Sequence, residues 1–352
     1  MMKIRGFIEG FYNRKPKKTD YSFKNSNITH YIYAPKEDFY IRQKWRIKDK
    51  SLEARSIPKN ITQVYTLSPG ADFNRKSKKD FNLLLSKFNF AIDKGFSEVG
   101  LLFDDIDINN IGIESDDKDL GKFHGELISD VTTKLGLSNG WFCPSIYCQS
   151  FSKKGIQNDK YLEGVSETIN NDLFFLWTGP KVISDFISQD HLKELGQVIK
   201  NPVVIWDNFY ANDYCPTRLF LGDITGRDFF RGNPYGHVIN GTGLINTDEF
   251  LIGKVFDKKK KINLPSELLP LFDSPFKNIN KSEINKMIRN SKDIKKAVFE
   301  TTDDNLFLEW KPYLVQALND IELIKNFKSK QTIETYLHRR YSPLVSQTFN
   351  KY

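Results

Sequence analysis

The residues of this chain best suited to chemistry are Asp104 and Asp105, adjacent carboxylates that follow the apolar run Val99–Phe103. Two carboxylates held a few ångström apart cannot both ionise cheaply. One pKa rises, and that group can then act as a general acid near neutrality. The same dipeptide at Asp116–Asp117 and at Asp303–Asp304 stands in polar surroundings and reads as solvated surface. Residue type and spacing leave three readings of Asp104–Asp105 open: catalysis, a metal site that adds Asp107, or a structural strand end. The metal reading has no obvious histidine partner. His30, His124, His191, His237 and His338 do not cluster by spacing and are expected to be structural.

A catalytic pair needs a scaffold that brings strand ends together. The first ~250 residues alternate short β-branched or aromatic runs with longer amphipathic ones, the sequence form of a parallel βα series. Eight runs read as strands: Ile4–Phe11, Thr29–Tyr33, Gln63–Leu67, Glu98–Phe103, Gly140–Ser145, Leu173–Trp177, Val203–Trp206 and Gly236–Asn240. Phe81, Leu84, Leu85, Phe88 and Ala91 recur at helical spacing, which predicts a helix over Lys79–Lys94. Two more are expected at Lys122–Leu135 and Val182–Lys200. Asn13–Ile28 carries Pro16 and scattered polar residues, so the first barrel helix should be short or irregular. The fold class is therefore α/β, a (β/α)8 barrel, and its site should lie at the C-terminal ends of the strands.

That rim is where polar and aromatic residues crowd. Strand one ends in Glu9-Gly10-Phe11-Tyr12, strand two in Ala34-Pro35-Lys36-Glu37-Asp38 and strand three in Ser68-Pro69-Gly70. Strand four ends in the aspartates, strand five at Tyr147, strand six at Trp177-Thr178-Gly179-Pro180, strand seven at Trp206-Asp207-Asn208 and strand eight at Asn240. Each has a plain structural reading as well. Lys36 could be a surface lysine or a substrate hydrogen-bond donor. Tyr147, Trp177 and Trp206 could be core or the walls of a pocket. Asn208, Asp213 and Asn240 are ordinary loop residues when taken singly.

Near residue 254 the pattern changes. A basic run, Lys258–Lys261, precedes Pro265, Pro270 and Pro275, the mark of a linker or interdomain bend. Beyond it Leu306, Trp310, Tyr313, Leu314, Ala317, Leu318, Ile321 and Ile324 form a helical stripe, with Pro312 expected in a first turn. The reading is a catalytic barrel over 1–255 and a helical domain over 256–352.

The net charge of +8, from 52 basic and 44 acidic residues, sits largely in Arg14–Lys18 and Lys258–Lys261. No aromatics interleave these runs as a nucleic-acid platform requires, so no nucleic-acid partner is expected. Three cysteines, Cys143, Cys148 and Cys215, form neither a disulfide framework nor a zinc set and read as core or wall thiols. No stretch reaches the ~20 apolar residues of a membrane span. With no apolar leader at the N-terminus, the expected location is cytoplasmic.

Across Arg5 to Thr242 the sequence resembles family 84 of the glycoside hydrolases, the O-GlcNAcases and bacterial β-N-acetylglucosaminidases. The resemblance rests on Arg5-Gly-Phe-Ile-Glu-Gly-Phe-Tyr12, Tyr31-Ile-Tyr-Ala-Pro-Lys-Glu-Asp38, Ser68-Pro-Gly70 and Leu101-Leu-Phe-Asp-Asp-Ile-Asp107. It continues through Phe142-Cys-Pro-Ser-Ile-Tyr147, Trp177-Thr-Gly-Pro180, Ile205-Trp-Asp-Asn208, Asn212-Asp-Tyr214 and Arg218-Leu-Phe-Leu-Gly222. Each segment is modest, but their order is specific.

The resemblance implies retention by substrate-assisted catalysis, in which the substrate's acetamido oxygen forms an oxazoline. It gives Asp104 the acetamido N–H, and Asp105 the leaving oxygen and then the attacking water. Tyr147 and Asn208 would hydrogen-bond the reacting group and its catalytic neighbours, and Trp206 would close the acetamido pocket. Gly6, Lys36, Asp213 and Asn240 would hold sugar hydroxyls. The implied partner is a β-GlcNAc-bearing glycopeptide or glycan, no cofactor is needed, and the helical tail would support a homodimer or shape the cleft, as in some relatives.

Three positions depart from the family pattern. Asn13-Arg-Lys-Pro16 replaces a Gly-Arg-Pro-Trp, Ser145-Ile146-Tyr147 a Thr-Glu-Tyr, and Asn240-Gly241 an Asn-Pro. None removes a residue to which the resemblance gives a role. The altered first loop motivates one rival, a catalytically impaired binder of O-GlcNAc-modified protein. A second rival is a metal-dependent phosphotransfer enzyme built on Asp104, Asp105 and Asp107.

Overall fold

The computed structural model describes residues 2–9, 21–24, 26–35, 37–70, 72–104, 118–228, 234–257, 264–277, 279, 281–300 and 304–341. The chain forms two compact units, Met1–Asn208 with Thr225–Gly243, and Phe209–Ile224 with Leu244–Tyr352.

In the first unit, β1 (Ile4–Glu9), β2 (His30–Tyr33), β3 (Thr62–Leu67), β4 (Glu98–Leu102), β5 (Trp141–Cys143), β6 (Phe174–Trp177), β7 (Val203–Asp207) and β8 (Gly236–Asn240) close in sequence order into one parallel barrel. Following the register around the ring returns to β1 displaced by eight residues, the shear of a (β/α)8 barrel. The expected eight strands are all present. Trp141–Cys143 is shorter than its sequence reading, and β8 matches it at both ends.

Strand geometry alternates side chains between the barrel interior and the helix layer. Ile4, Ile8, Ile32, Val64, Leu102, Trp141, Cys143, Phe174, Leu176, Val204, Trp206 and Val238 accordingly share one buried cluster. At its N-terminal end the carboxylate of Glu98 accepts from Trp141 Nε1 at 2.6 Å and from Asn139 Nδ2 at 3.2 Å. Burial raises the Glu98 pKa, and it lowers that of His30, 3.9 Å away, to about 4. This end is a plug that satisfies its own polar groups.

Outside the strands lie α1 (Lys78–Asp93), α2 (Lys118–Leu135), α3 (Lys160–Thr168) and α4 (Gln189–Val198). Ser77 caps α1 by accepting from the Asp80 N–H, and Leu84, Phe88 and Ala91 bury its inner face. α2 and α3 approach almost backbone to backbone. A Cβ on Gly121 would lie 2.0 Å from the Tyr161 carbonyl oxygen, and one on Gly164 2.1 Å from that of Lys118. Gly164→Ala must therefore push the helices apart. It is expected to cost about 1–3 kcal/mol, read as a lower urea midpoint at unchanged m-value; an unaltered midpoint would show that the contact yields freely.

The predicted helix over Val182–Lys200 begins instead at Gln189, after the Ser188 cap. Tertiary bonds take over the preceding residues: the Val182 carbonyl accepts from Asn208, and Ile187 bridges to Arg227. Residues 21–24 and 26–29 are not helical, and the rest of the first connection, Asn13–Asp20 included, lies outside the described residues.

The second unit contains α5 (Ile245–Ile252), α6 (Lys281–Arg289), α7 (Ser291–Glu300), α8 (Asn305–Lys325) and α9 (Lys330–Tyr341). Pro312 lies inside α8, two turns from its Asp304 cap, rather than in the first turn. Its position on the exposed face, beside exposed Leu308, lets water take the carbonyl that loses its partner. Sequence composition placed the boundary after residue 255, whereas 209–224 and 244–255 pack with the helical residues.

Candidate active site

The two-residue period decides which rim side chains face inward. Continued past the strand ends, it turns Asp104, Trp206, Asn208 and Asn240 to the interior, in the same set as Leu102, Val204 and Val238. Barrel tilt staggers them in depth. Trp206 joins the layer of Ile8, Thr66 and Cys143, Asn240 lies one layer higher, and Asn208 and then Asp104 lie above that. An indole floor thus sits beneath two amides and a carboxylate.

Asp104 is 4% exposed, and its backbone carbonyl accepts from Arg42 Nη2 at 3.3 Å. Asn240 Nδ2 donates to Asn208 Oδ1 at 3.0 Å, and Asn208 Nδ2 donates to the Val182 carbonyl at 2.9 Å. This directional chain fixes both amides and keeps the Asn240 oxygen as an acceptor. Tyr147 is buried in the interior cluster, with its ring edge-on to Phe151 at 5.0 Å and its carbonyl held by the Thr178 N–H at 2.9 Å. Gly6 lies within β1, where a Cβ would meet Val238 Cγ1 at 2.6 Å, so packing alone requires glycine there.

Asp213 is exposed on the segment Phe209–Ile224, which belongs to the second unit. Lys36, Asp105 and Asp107 lie outside the described residues, as do the altered loop Asn13–Pro16 and the basic run Lys258–Lys261. The metal alternative depends on two of these positions.

Residues facing outward have structural employment. Trp177, weighed above as a pocket wall, points to the helix layer and donates its indole N–H to His191 Nε2 at 2.9 Å. Asp207 also faces outward. Arg227 grips both its oxygens at 2.8 Å, and His237 Nε2 lies 2.9 Å away. Burial works to raise the Asp207 pKa, but the Arg227 charge and hydrogen bonds prevail and hold it well below the carboxylate range. Glu9 receives a buried fork from Arg55, with Nη2 at 2.7 Å from Oε1, and Arg55 Nε also reaches the Tyr31 hydroxyl at 2.9 Å. All three cysteines are buried thiols, none of them in a disulfide.

Spacing gave no hint of Arg227, which lies 20 residues beyond Asp207. The outward parity of Asp207 itself was visible in the alternation of strand seven. A groove of about 610 Å³ along α9, lined by Phe327, Thr332, Tyr336 and Arg339, contains none of the candidate residues.

The fold is shared with a solved O-GlcNAc hydrolase. A mutant O-GlcNAc hydrolase from Thermobaculum terrenum superposes with a TM-score of 0.68 over 99% of this chain and 90% of that one, at 17% identity, a likeness of fold. Protein O-GlcNAcase of Rattus norvegicus and that of Mus musculus are each 33% identical over an alignment 239 residues long that covers 63% of this chain. That match spans only 26% of each relative's length. The beta-N-acetylglucosaminidase family matches residues 5–231, and this chain belongs to it.

Proposed function

We propose that the chain is a retaining β-N-acetylglucosaminidase that releases terminal β-linked GlcNAc from glycopeptides or glycans. The observation that carries this reading is the convergence of Asp104, Trp206, Asn208 and Asn240 on the barrel interior at the C-terminal ends of β4, β7 and β8.

In this reading the acetamido group of the sugar rests on Trp206. Asp104 accepts its N–H, which holds the acetamido oxygen in line with the anomeric carbon and stabilises positive charge on nitrogen as the oxazoline forms. The glycosidic C–O bond breaks as Asp105 gives its proton to the leaving oxygen. Asp105 then takes a proton from the water that opens the oxazoline, which regenerates the acetamide with retention. Tyr147 and Asn208 bond the reacting group, while Lys36 and the fixed Asn240 oxygen hold sugar hydroxyls; Gly6, paired on both sides within β1 and two residues below the Trp206 layer, does not reach them.

The test is turnover of an aryl β-N-acetylglucosaminide beside the matching β-glucoside, which lacks the internal nucleophile. Hydrolysis of the first alone supports the mechanism, and equal hydrolysis of both overturns it. Saturable binding of a GlcNAc-thiazoline without turnover would instead identify an impaired binder.

A further inference from the structure

We propose that His124 and Tyr161, which lie in the helix layer behind the strands, are positioning residues that set Asp104 and Tyr147 relative to one another. The inference rests on the reaction proposed above, because it is there that these two residues act together.

Phe103 directly precedes Asp104 and, by parity, turns outward onto α2. Its ring stacks on the His124 imidazole with centroids 3.7 Å apart and planes at 10°. On α3 the Tyr161 hydroxyl lies 2.8 Å from His124 Nδ1 and accepts the Ser145 backbone N–H at 3.0 Å. Ser145 stands two residues before Tyr147, just past the end of β5, where its N–H has left the strand ladder. One path therefore runs from Asp104 through Phe103, His124, Tyr161 and Ser145 to Tyr147, across one ring stack and two hydrogen bonds.

Both ring groups on this path are uncharged near neutrality. Burial pulls the His124 pKa down to about 3, so its ring is neutral at physiological pH. Burial likewise pushes the Tyr161 hydroxyl up, and it stays protonated. With its oxygen accepting from Ser145, the hydroxyl has its own proton to give to Nδ1 of the Nε2–H tautomer. Directional bonds in a dry site fix orientation as well as distance.

The supporting helices cannot slide. Besides Gly121 and Gly164, a Cβ on Gly125 would lie 2.4 Å from Thr168 Oγ1, so α2 and α3 are keyed at three glycines. The strand ends are also tied directly, through the Phe103 N–H to the Cys143 carbonyl at 2.8 Å. The ring, the hydroxyl and the loop amide thus bear on the two tips whose separation the oxazoline step needs. The expected ligands of the sugar hydroxyls come from other strands and loops.

Tyr161→Phe keeps the ring and removes only the hydroxyl. Its kcat per folded molecule should fall about tenfold or more with KM within about twofold, since a misplacement of ~1 Å is enough to cost 10²-fold. Amide exchange should accelerate in segments 101–104 and 141–147 and stay as in the parent elsewhere in the barrel. His124→Asn, which retains an acceptor near Nδ1, should keep more kcat than His124→Leu. Parental kcat in Tyr161→Phe, or a loss of protection spread evenly over the barrel, would overturn the proposal and leave a purely structural tie. If the parent chain shows no turnover, the enzymatic reading fails instead. Exchange at 101–104 and 141–147 then decides by itself whether the pair couples the two tips.

Discussion

Asp105→Asn is expected to lower kcat on aryl β-N-acetylglucosaminides by about 10²–10⁴-fold, the span of a lost general acid. The deficit should shrink as the leaving phenol becomes more acidic, because such a leaving group departs without a proton. Asp104→Asn should behave differently. Its carboxylate serves the acetamide rather than the aglycone, so its deficit should persist for every leaving group. Measuring both variants against a series of substituted phenyl glycosides separates the two roles. Full activity in Asp105→Asn, or identical leaving-group slopes for the two variants, would remove the assignment.

Arg227→Met should cost about 3–5 kcal/mol of unfolding free energy, the usual result of stripping a buried carboxylate of its cation. Asp207 would lose its guanidinium partner, and the carbonyls of Ser184, Asp185 and Thr225 would lose the group that now gathers them. The effect has a definite pH sign. Asp207 has a folded pKa below its ordinary 3.8, so the pair's contribution is complete above that value and is lost as the pH falls below it. In the variant the buried carboxylate is destabilised while charged and is relieved by protonation. Urea denaturation should therefore show the gap between the two proteins narrowing from pH 7 toward pH 4. A deficit under about 1 kcal/mol at pH 7 would mean that Asp207 is more solvated than its burial indicates.

The barrel was legible because its strands are short apolar runs bounded by polar rim residues, a pattern set by burial on both faces. Gly236–Asn240 could be read to the residue for that reason. Parity alone also separates Trp206 from Asp207, and would have set Trp177 aside. Legibility fails where distant chain overrides local preference. Val182, Ile183 and Phe186 continue a helical pattern, yet Asn208 and Arg227 claim that stretch from elsewhere in the fold. His124 had no distinguishing mark in sequence, because its partners Phe103 and Tyr161 lie on separate elements. Asp213 drew its role from the family resemblance alone, and its segment packs with the helical residues.

That last assignment bears on any attempt to excise the barrel. Within the second unit, the strip Phe209–Ile224 is sewn to residues far down the chain. Leu221 and Gly222 give their amide hydrogens to the Phe272 and Asp273 carbonyls, and Arg218 reaches those of Leu271 and Tyr341. A fragment cut at residue 255 would carry the strip without its moorings. The helical portion is therefore the scaffold for a loop inserted between the last two barrel strands, and trimming it would unravel the loop that holds Asp213.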